Sequence, residues 1–315
     1  MILCVTLNPC LDKTLVVPDW KPGDSVRGKA VREVVGGKGN NVARALSKLG
    51  RSARPATFLG GAVGAHCEAL LRGDDKLDPL VTPSASPTRE ILTVRTEGTA
   101  EQSAFFDPDP VITSQEADNL FARIEEVLGQ GGVEALTLSG SSPGPSSHGL
   151  YSDLIALARA KKVLVFLDSY GPALDHIWGF WPQAIQVNRR EAGIRLRKQN
   201  PSGADVVGLL GDWSSHGVIC GVVTDGPNPS FVKLQGKLYR VTPPKIELVN
   251  PIGSGDCLLA GMVDAWLKGL PPEDMIRHAF ACGIANAMVW DAGGITLEEV
   301  ERQKEAVGVE AIAGA

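Results

Sequence analysis

The stretch Asn250-Pro251-Ile252-Gly253-Ser254-Gly255-Asp256 combines residue types and spacing that could do chemistry. Gly253 and Gly255 allow a tight turn that brings backbone N–H groups close to a ligand. An apolar helical pattern runs from Cys257 to Leu267, so unpaired N–H groups and the positive end of a helix dipole meet at this point. That combination binds anions. Asp256 adds a carboxylate beside the anion position. Its natural work there is that of a base, taking a proton from a hydroxyl that attacks a phosphoryl group. The plainer alternative is an acidic first-turn residue after a glycine turn.

A second glycine-rich loop, Gly36-Gly37-Lys38-Gly39-Asn40-Asn41, precedes a helix pattern with Val42, Ala45, Leu46 and Leu49 on one face, ended by Gly50. It is neither a Walker A loop nor GxGxxG. Between Gly37 and Gly39, the Lys38 ammonium can reach an anion without side-chain crowding. Asn41 is either the N-cap of this helix or a hydrogen-bond donor to a substrate. Asp12 follows the first strand pattern, Ile2 to Leu7, which Asn8-Pro9 ends. Ligands of open α/β sheets bind outside the carboxyl ends of strands, so Asp12 is a candidate to grip a substrate hydroxyl, against the alternative of a solvated turn residue. Arg89 stands just before another strand-like run.

The elements that must position these residues fall into two groups. Thr14–Val17 with Ser25–Val34, and Ile91–Thr96 with Gln102–Phe106, are strand-like pairs with no helix between their members, so they predict antiparallel pairing. Elsewhere strands alternate with helices. The spacing predicts strands at Ala56–Leu59, Ala135–Leu138, Val163–Leu167, Ala184–Val187 and Val218–Thr224, and a hairpin at 231–241 around Gln235-Gly236. Helices are expected at 65–71, 115–128, 149–160, 273–289 and 297–306, with the residues after Val307 a frayed tail. This alternation implies an α/β fold, a doubly wound, mostly parallel sheet flanked by helices. The polar residues at successive strand ends would then line one sheet edge.

The bulk numbers set limits. The 315 residues suit a single domain, here 1–315, with a β lid at about 13–35 and 88–107. A hydrophobic fraction of 43% allows a large core. A formal net charge of −5 with no basic block predicts no nucleic-acid partner. No apolar run is long enough for a membrane span, and the strand pattern directly after Met1 predicts no signal peptide. The six cysteines are dispersed with no CxxC pair, which predicts free thiols and a cytoplasmic setting. Cys10 lies near Asp12 and Cys257 follows Asp256, so either thiol could be redox-sensitive if exposed at a helix N-terminus; the competing expectation is a buried small apolar residue.

Three motifs in fixed order, Gly36 to Leu46, Asn188-Arg189-Arg190-Glu191 and Asn250 to Asp256, resemble the PfkB (ribokinase-like) family of carbohydrate kinases. Thr6-Leu7-Asn8-Pro9-Cys10-Leu11-Asp12 and Ser139-Gly140-Ser141-Ser142-Pro143-Gly144 look like its phosphosugar branch, which contains 1-phosphofructokinase and tagatose-6-phosphate kinase. The resemblance covers nearly the whole chain. It implies a ribokinase-like fold with a β-sheet lid, ATP and Mg²⁺ as cofactors, a sugar or sugar-phosphate substrate, and a homodimer through the lid. It also implies roles. Asp256 would be the base, and the backbone of Gly253, Ser254, Gly255 and Asp256 the anion hole. Asp12 and Asn41 would hold sugar hydroxyls within the Gly37–Gly39 loop. Lys38, Arg89 and Ser139 would meet the substrate phosphate or γ-phosphate. Thr224, Gly226 and Asn188 would lie along the nucleotide, and Glu191 with Asn188 would hold Mg²⁺ through water.

This chain departs from the family pattern in places. Asn250 replaces the usual Asp or Ser, and Gly253-Ser254-Gly255 replaces Gly-Ala-Gly. Prolines enter the nucleotide loop Thr224-Asp225-Gly226-Pro227-Asn228-Pro229. The usual Glu-Pro-Gly-Pro reads Asp107-Pro108-Asp109-Pro110, after Phe105 and Phe106. The extra acid favours an alternative, a ribokinase-like kinase of an unphosphorylated sugar or nucleoside. The altered nucleotide loop favours another, a catalytically silent sugar-phosphate sensor.

Overall fold

A computed structural model describes residues 1–99, 102–177 and 179–312. In chain order its elements are β1 (Ile2–Thr6), β2 (Cys10–Val17), β3 (Ala30–Gly36), α1 (Lys38–Lys48), β4 (Ala53–Leu59), α2 (Gly61–Gly73), β5 (Leu80–Pro83), β6 (Arg89–Thr96) and β7 (Gln102–Phe106). Next come α3 (Ser114–Gly129), β8 (Ala135–Ser139), α4 (Leu150–Ala160), β9 (Leu164–Asp168), α5 (Pro172–Asp175), β10 (Ala184–Asn188), α6 (Arg189–Leu196) and α7 (Gly203–Ser215). The chain continues through β11 (Cys220–Asp225), β12 (Asn228–Leu234), β13 (Lys237–Thr242), α8 (Ser254–Leu267), α9 (Pro272–Ala287), α10 (Leu297–Ala306) and β14 (Gly308–Ile312).

The main sheet has ten strands in the order β14-β13-β12-β11-β10-β9-β8-β1-β4-β5. The stretch from β11 to β5 is parallel, and β12, β13 and β14 add antiparallel pairs at one edge. Strand residues alternate between two cores, as a period of two requires when both faces are covered. Ile2 and Cys4 of β1 join the core that includes α1, α8 and α9, whereas Leu3 and Val5 join the core that includes α3, α4 and α7. Among the described residues no helix is long and apolar enough to cross a membrane.

The second sheet runs β3-β2-β6-β7. Both predicted pairs are antiparallel, and a parallel β2–β6 ladder joins them. Its strands differ in extent from the sequence reading. β2 begins at Cys10 and β3 only at Ala30. Asp12 therefore lies within a lid strand, opposite Val34 and Ile91, and not in a turn beyond β1. The reason is that Leu7, Asn8 and Pro9 suffice to carry the chain from the main sheet into the lid.

Three further corrections concern boundaries. The segment after Val307 is no frayed tail through Ile312: β14 pairs with β13 from Gly308↔Thr242 to Ile312↔Leu238. Residues 313–315 of that tail, and 100 and 101 of the lid, lie outside the described residues. Helix α1 starts at Lys38 with Gly37 at the N-cap, so Asn41 is not the cap. Helix α8 starts at Ser254, three residues earlier than its apolar pattern, and Asp256 falls in its first turn.

Candidate active site

The parallel register aligns polar residues along one sheet edge: Thr6 opposite Ser139, Ser139 opposite Asp168, and Asn188 opposite Thr224. Helix α1 and α8 both begin at this edge, each in a glycine-rich turn. A Cβ on Gly39 would lie 2.6 Å from the Val5 carbonyl oxygen. A Cβ on Gly255 would lie 3.3 Å from Gln186 Nε2 and 3.7 Å from Asp168 Oδ2. The close backbone approach requires glycine at 39, whereas at 255 only the flexible end of Gln186 would have to give.

Asp256 is buried, and its Oδ2 accepts a 2.7 Å hydrogen bond from Asn41 Nδ2. The α1 and α8 starts, more than 200 positions apart in the chain, thus meet at one carboxylate. Gly253 at the α8 N-cap adopts a left-handed conformation with φ 84°. Ser254 N–H donates to the Pro251 carbonyl at 3.2 Å, so this member of the expected anion hole is already used in the turn. The Gly255 and Asp256 N–H groups have no acceptor among the described residues. They are the free donors of the helix end.

Lys38 sits between acids. Its Nζ lies 2.6 Å from Asp168 Oδ1 and 3.0 Å from Glu191 Oε1, and 5.4 Å from the Tyr170 ring centroid. Burial alone would lower the Lys38 pKa, but Asp168, Glu191 and Asp256 outweigh it and raise it. The ammonium is charged, and two of its three donors are paired with carboxylates, so a substrate anion at Lys38 would share the charge with them. Burial raises the carboxyl pKa values of Asp168 and Asp256, and the Lys38 charge opposes it in both. Asp168 was not singled out by the sequence; it is recognisable only as the last residue of β9.

Asn188 and Glu191 form a reciprocal capping box at the start of α6: Asn188 Oδ1 accepts from Glu191 N–H and Glu191 Oε2 accepts from Asn188 N–H, both at 2.9 Å. The Asn-x-x-Glu spacing is itself a capping signature. Thr224 is half-buried at the end of β11, and Gly226 follows in the turn to β12 with φ 57°. Arg189 next to this turn pairs with Asp225 at 2.7 Å.

At the lid side, Arg89 opens β6. Its Nη1 is 3.4 Å from Asp109 Oδ1 and its Nη2 donates to the Asn8 carbonyl at 3.4 Å. Asn8 Nδ2 donates to Asp109 Oδ1 at 2.8 Å and to Ser141 Oγ at 3.2 Å. Burial raises the nearby Asp12 carboxyl pKa, and Arg89 pulls it back. Ser139 is fully buried, and its hydroxyl has no partner among the described residues. Ser141, two residues on, is the hydroxyl that reaches Asn8.

Two buried residues that sequence reading passed over hold the site in shape. Asn286 on α9 donates to the Ile252 carbonyl at 2.8 Å and to Ser254 Oγ at 3.2 Å, and its Oδ1 accepts from Gly293 N–H at 2.9 Å. Arg44 donates to Asn41 Oδ1 at 2.9 Å and forks onto Asp75 with two 2.7 Å bonds. No local pattern marks either residue. Asn286→Ala strips these partners inside the core, so we expect a stability loss of about 2–3 kcal/mol, read as a lower urea midpoint at unchanged m-value.

All six cysteines are buried free thiols. Burial pushes the Cys10 thiol up to about 12, and burial followed by the Asp256 charge raises Cys257 well above the usual range. The exposed, thiolate-prone alternative is corrected: both behave as small core residues. A groove of about 540 Å³ between α3 and α4, lined by Phe121, Leu150 and Asp153 among others, contains none of the residues above.

A doubly wound sheet, a four-stranded lid and a buried carboxylate at a helix N-terminus define a phosphotransferase-like arrangement. The family model described as pfkB family carbohydrate kinase matches residues 5–298, and the chain belongs to that family. It is 27% identical over 315 residues to a tagatose-6-phosphate kinase of Staphylococcus epidermidis, covering 98% of this chain and 100% of the relative. Its fold matches Escherichia coli phosphofructokinase-2 in complex with fructose-6-phosphate, with a TM-score of 0.84 and 26% identity over 97% of this chain and 98% of that one. A Thermotoga maritima structure described as a possible 1-phosphofructokinase matches with a TM-score of 0.88 and 25% identity over 99% of both chains. The architecture is thus ribokinase-like, and membership in a kinase family implies ATP as co-substrate.

Proposed function

We infer that the protein is a cytoplasmic, ATP-dependent kinase of a ketohexose phosphate, acting on fructose 1-phosphate or on tagatose or fructose 6-phosphate. The observation that carries this is Asp256: a buried carboxylate, oriented by Asn41 at 2.7 Å, beside the free N–H groups of Gly255 and Asp256. Asp256 takes the proton of the attacking hydroxyl. The free N–H groups, with Gly253 shaping the turn, stabilise charge on the transferred group, which in phosphoryl transfer supplies much of the catalysis together with positioning. Asp12 and Asn41, with the Gly37–Gly39 backbone, hold sugar hydroxyls. Arg89, Lys38 and Ser139 serve the phosphates. Thr224, Gly226 and Asn188 follow the nucleotide.

Mg²⁺ fits this edge through water. Glu191 and Asn188 offer oxygen ligands, and Asp168 Oδ2 is buried without a partner among the described residues. No cluster of three or more His, Cys, Asp or Glu able to hold a metal directly occurs among those residues. A hydrated Mg²⁺ would neutralise phosphate charge. The proposal includes a homodimer through the lid, where Val31, Phe105 and Phe106 are exposed.

A kinase of an unphosphorylated sugar is the second reading, favoured by the Asp109 carboxylate beside Arg89. A coupled ADP-release assay over phosphorylated and unphosphorylated sugars separates the two. Turnover of the ketohexose phosphates is the expected result; turnover of neutral sugars alone overturns it. Calorimetry with Mg·ATP tests the silent-sensor alternative, for which no binding is expected.

A further inference from the structure

Arg89 is poorly satisfied for a guanidinium with a side-chain exposure of only 15%. Its two contacts are both 3.4 Å long, and its Nε is buried with no partner among the described residues. Arg44, by contrast, is held by bonds of 2.7 Å to Asp75. The groups around Arg89 converge on Asp109 Oδ1: the Arg89 guanidinium and the Asn8 amide both face it, and Asn8 also reaches the Ser141 hydroxyl. A guanidinium, an amide and a hydroxyl are the donor set that a phosphate dianion takes. Asp109 itself is 51% exposed, on the connection between β7 and α3. Arg89 is held at the root of the lid, while the Asp109 side chain opens to solvent.

We propose that Asp109 is a specificity-determining residue, an intramolecular counter-ion that covers Arg89 and competes with the anionic group of the substrate. The proposal rests on the phosphosugar reading above. A phosphate dianion brings more charge to Arg89 than the carboxylate it displaces. A neutral sugar has nothing to displace Asp109 with. Asp109 therefore weakens every anion at this position and leaves neutral ligands untouched.

The test is calorimetric titration of inorganic phosphate and fructose 6-phosphate into the wild type, Asp109→Asn and Arg89→Met. Asp109→Asn keeps an acceptor for Asn8 and removes the charge. It is expected to bind both anions about threefold or more tighter, the scale of a partly exposed like charge removed. Arg89→Met is expected to bind them at least about tenfold more weakly, the scale of a lost charge-assisted contact. In turnover, Asp109→Asn lowers the KM for a ketohexose phosphate with little change in kcat, while the KM for unphosphorylated fructose stays put. Equal or weaker anion binding by Asp109→Asn overturns the proposal. The inorganic phosphate arm separates the two ideas. Absence of sugar-phosphate turnover in the wild type defeats the functional reading, and tighter phosphate binding by Asp109→Asn would still support the counter-ion.

Discussion

Asp256→Asn is expected to lower kcat by about 10²–10⁴-fold, the usual contribution of a general base. The substitution keeps shape and keeps an acceptor for the Asn41 amide, so positioning survives and only the proton acceptor is lost. The wild-type rate should show the same group in its pH dependence. Burial raises the Asp256 carboxyl to about 6, against the opposing pull of Lys38 and Asn41. Protonation removes the base, so kcat falls as pH drops through about 6, and the acid limb is absent from the residual rate of the variant. Stability runs the other way. A carboxyl raised above its value of 3.8 in the unfolded chain binds its proton more tightly when folded. The folded state is then favoured at low pH and loses stability as pH rises through that window. Asp256→Asn removes this penalty, so its unfolding midpoint at pH 7 should equal or exceed the wild type. A variant with near-normal turnover would take Asp256 out of the base role, and one with a collapsed midpoint would reduce it to a structural acid.

Arg44→Met should destabilise the protein by about 3–5 kcal/mol, the scale for breaking a buried ion pair and stranding its partner. The guanidinium is 10% exposed and Asp75 is 16% exposed. Besides the fork onto Asp75, Arg44 donates to the carbonyls of Val35 at 3.1 Å and Ala292 at 2.9 Å. It therefore ties the foot of lid strand β3, helix α1 and the loop after α9 into one joint. Its bond to Asn41 Oδ1 has a chemical consequence. With the oxygen side of that amide occupied, the Nδ2 side faces Asp256. Arg44→Met frees the amide to flip, so kcat should fall about tenfold through misplacement of the base. Arg44→Lys keeps the charge but not the fork, and should recover part of the stability. Urea unfolding and kcat measured on the same preparations check this. A midpoint within about 0.5 kcal/mol of the wild type, the range for unimportant surface changes, would exclude the joint.

The strands and most long helices were legible because their apolar periods are strong. Short elements were not. Strand β5 has four residues, too few to show a period, and β14 is a five-residue edge strand that is exposed or half-buried at every position. Helices α6 and α7 were passed over although both carry capping boxes, Asn188 with Glu191 and Ser202 with Asp205. Their apolar stripes are weak, and the cap residues are the stronger local signal. For Asn188 and Glu191 the same residue types also suit metal chemistry, and spacing alone does not separate the two uses.

By itself the sequence determined the alternation of strands and helices, the two glycine-rich loops that open helices, and the acid placed in the first turn after the second loop. These are local properties, set by periodicity, glycine and helix-end polarity within a few residues. Tertiary structure decided everything that depends on partners far apart in the chain. It put Asp12 in the lid, gave Lys38 to Asp168 and Glu191, set Asp109 against Arg89, and aimed Asn41 at Asp256 through Arg44 and Asp75. The physical reason is that a charge takes its pairing and its pKa from whatever the fold brings within a few ångströms, and a single sequence holds no record of that distance.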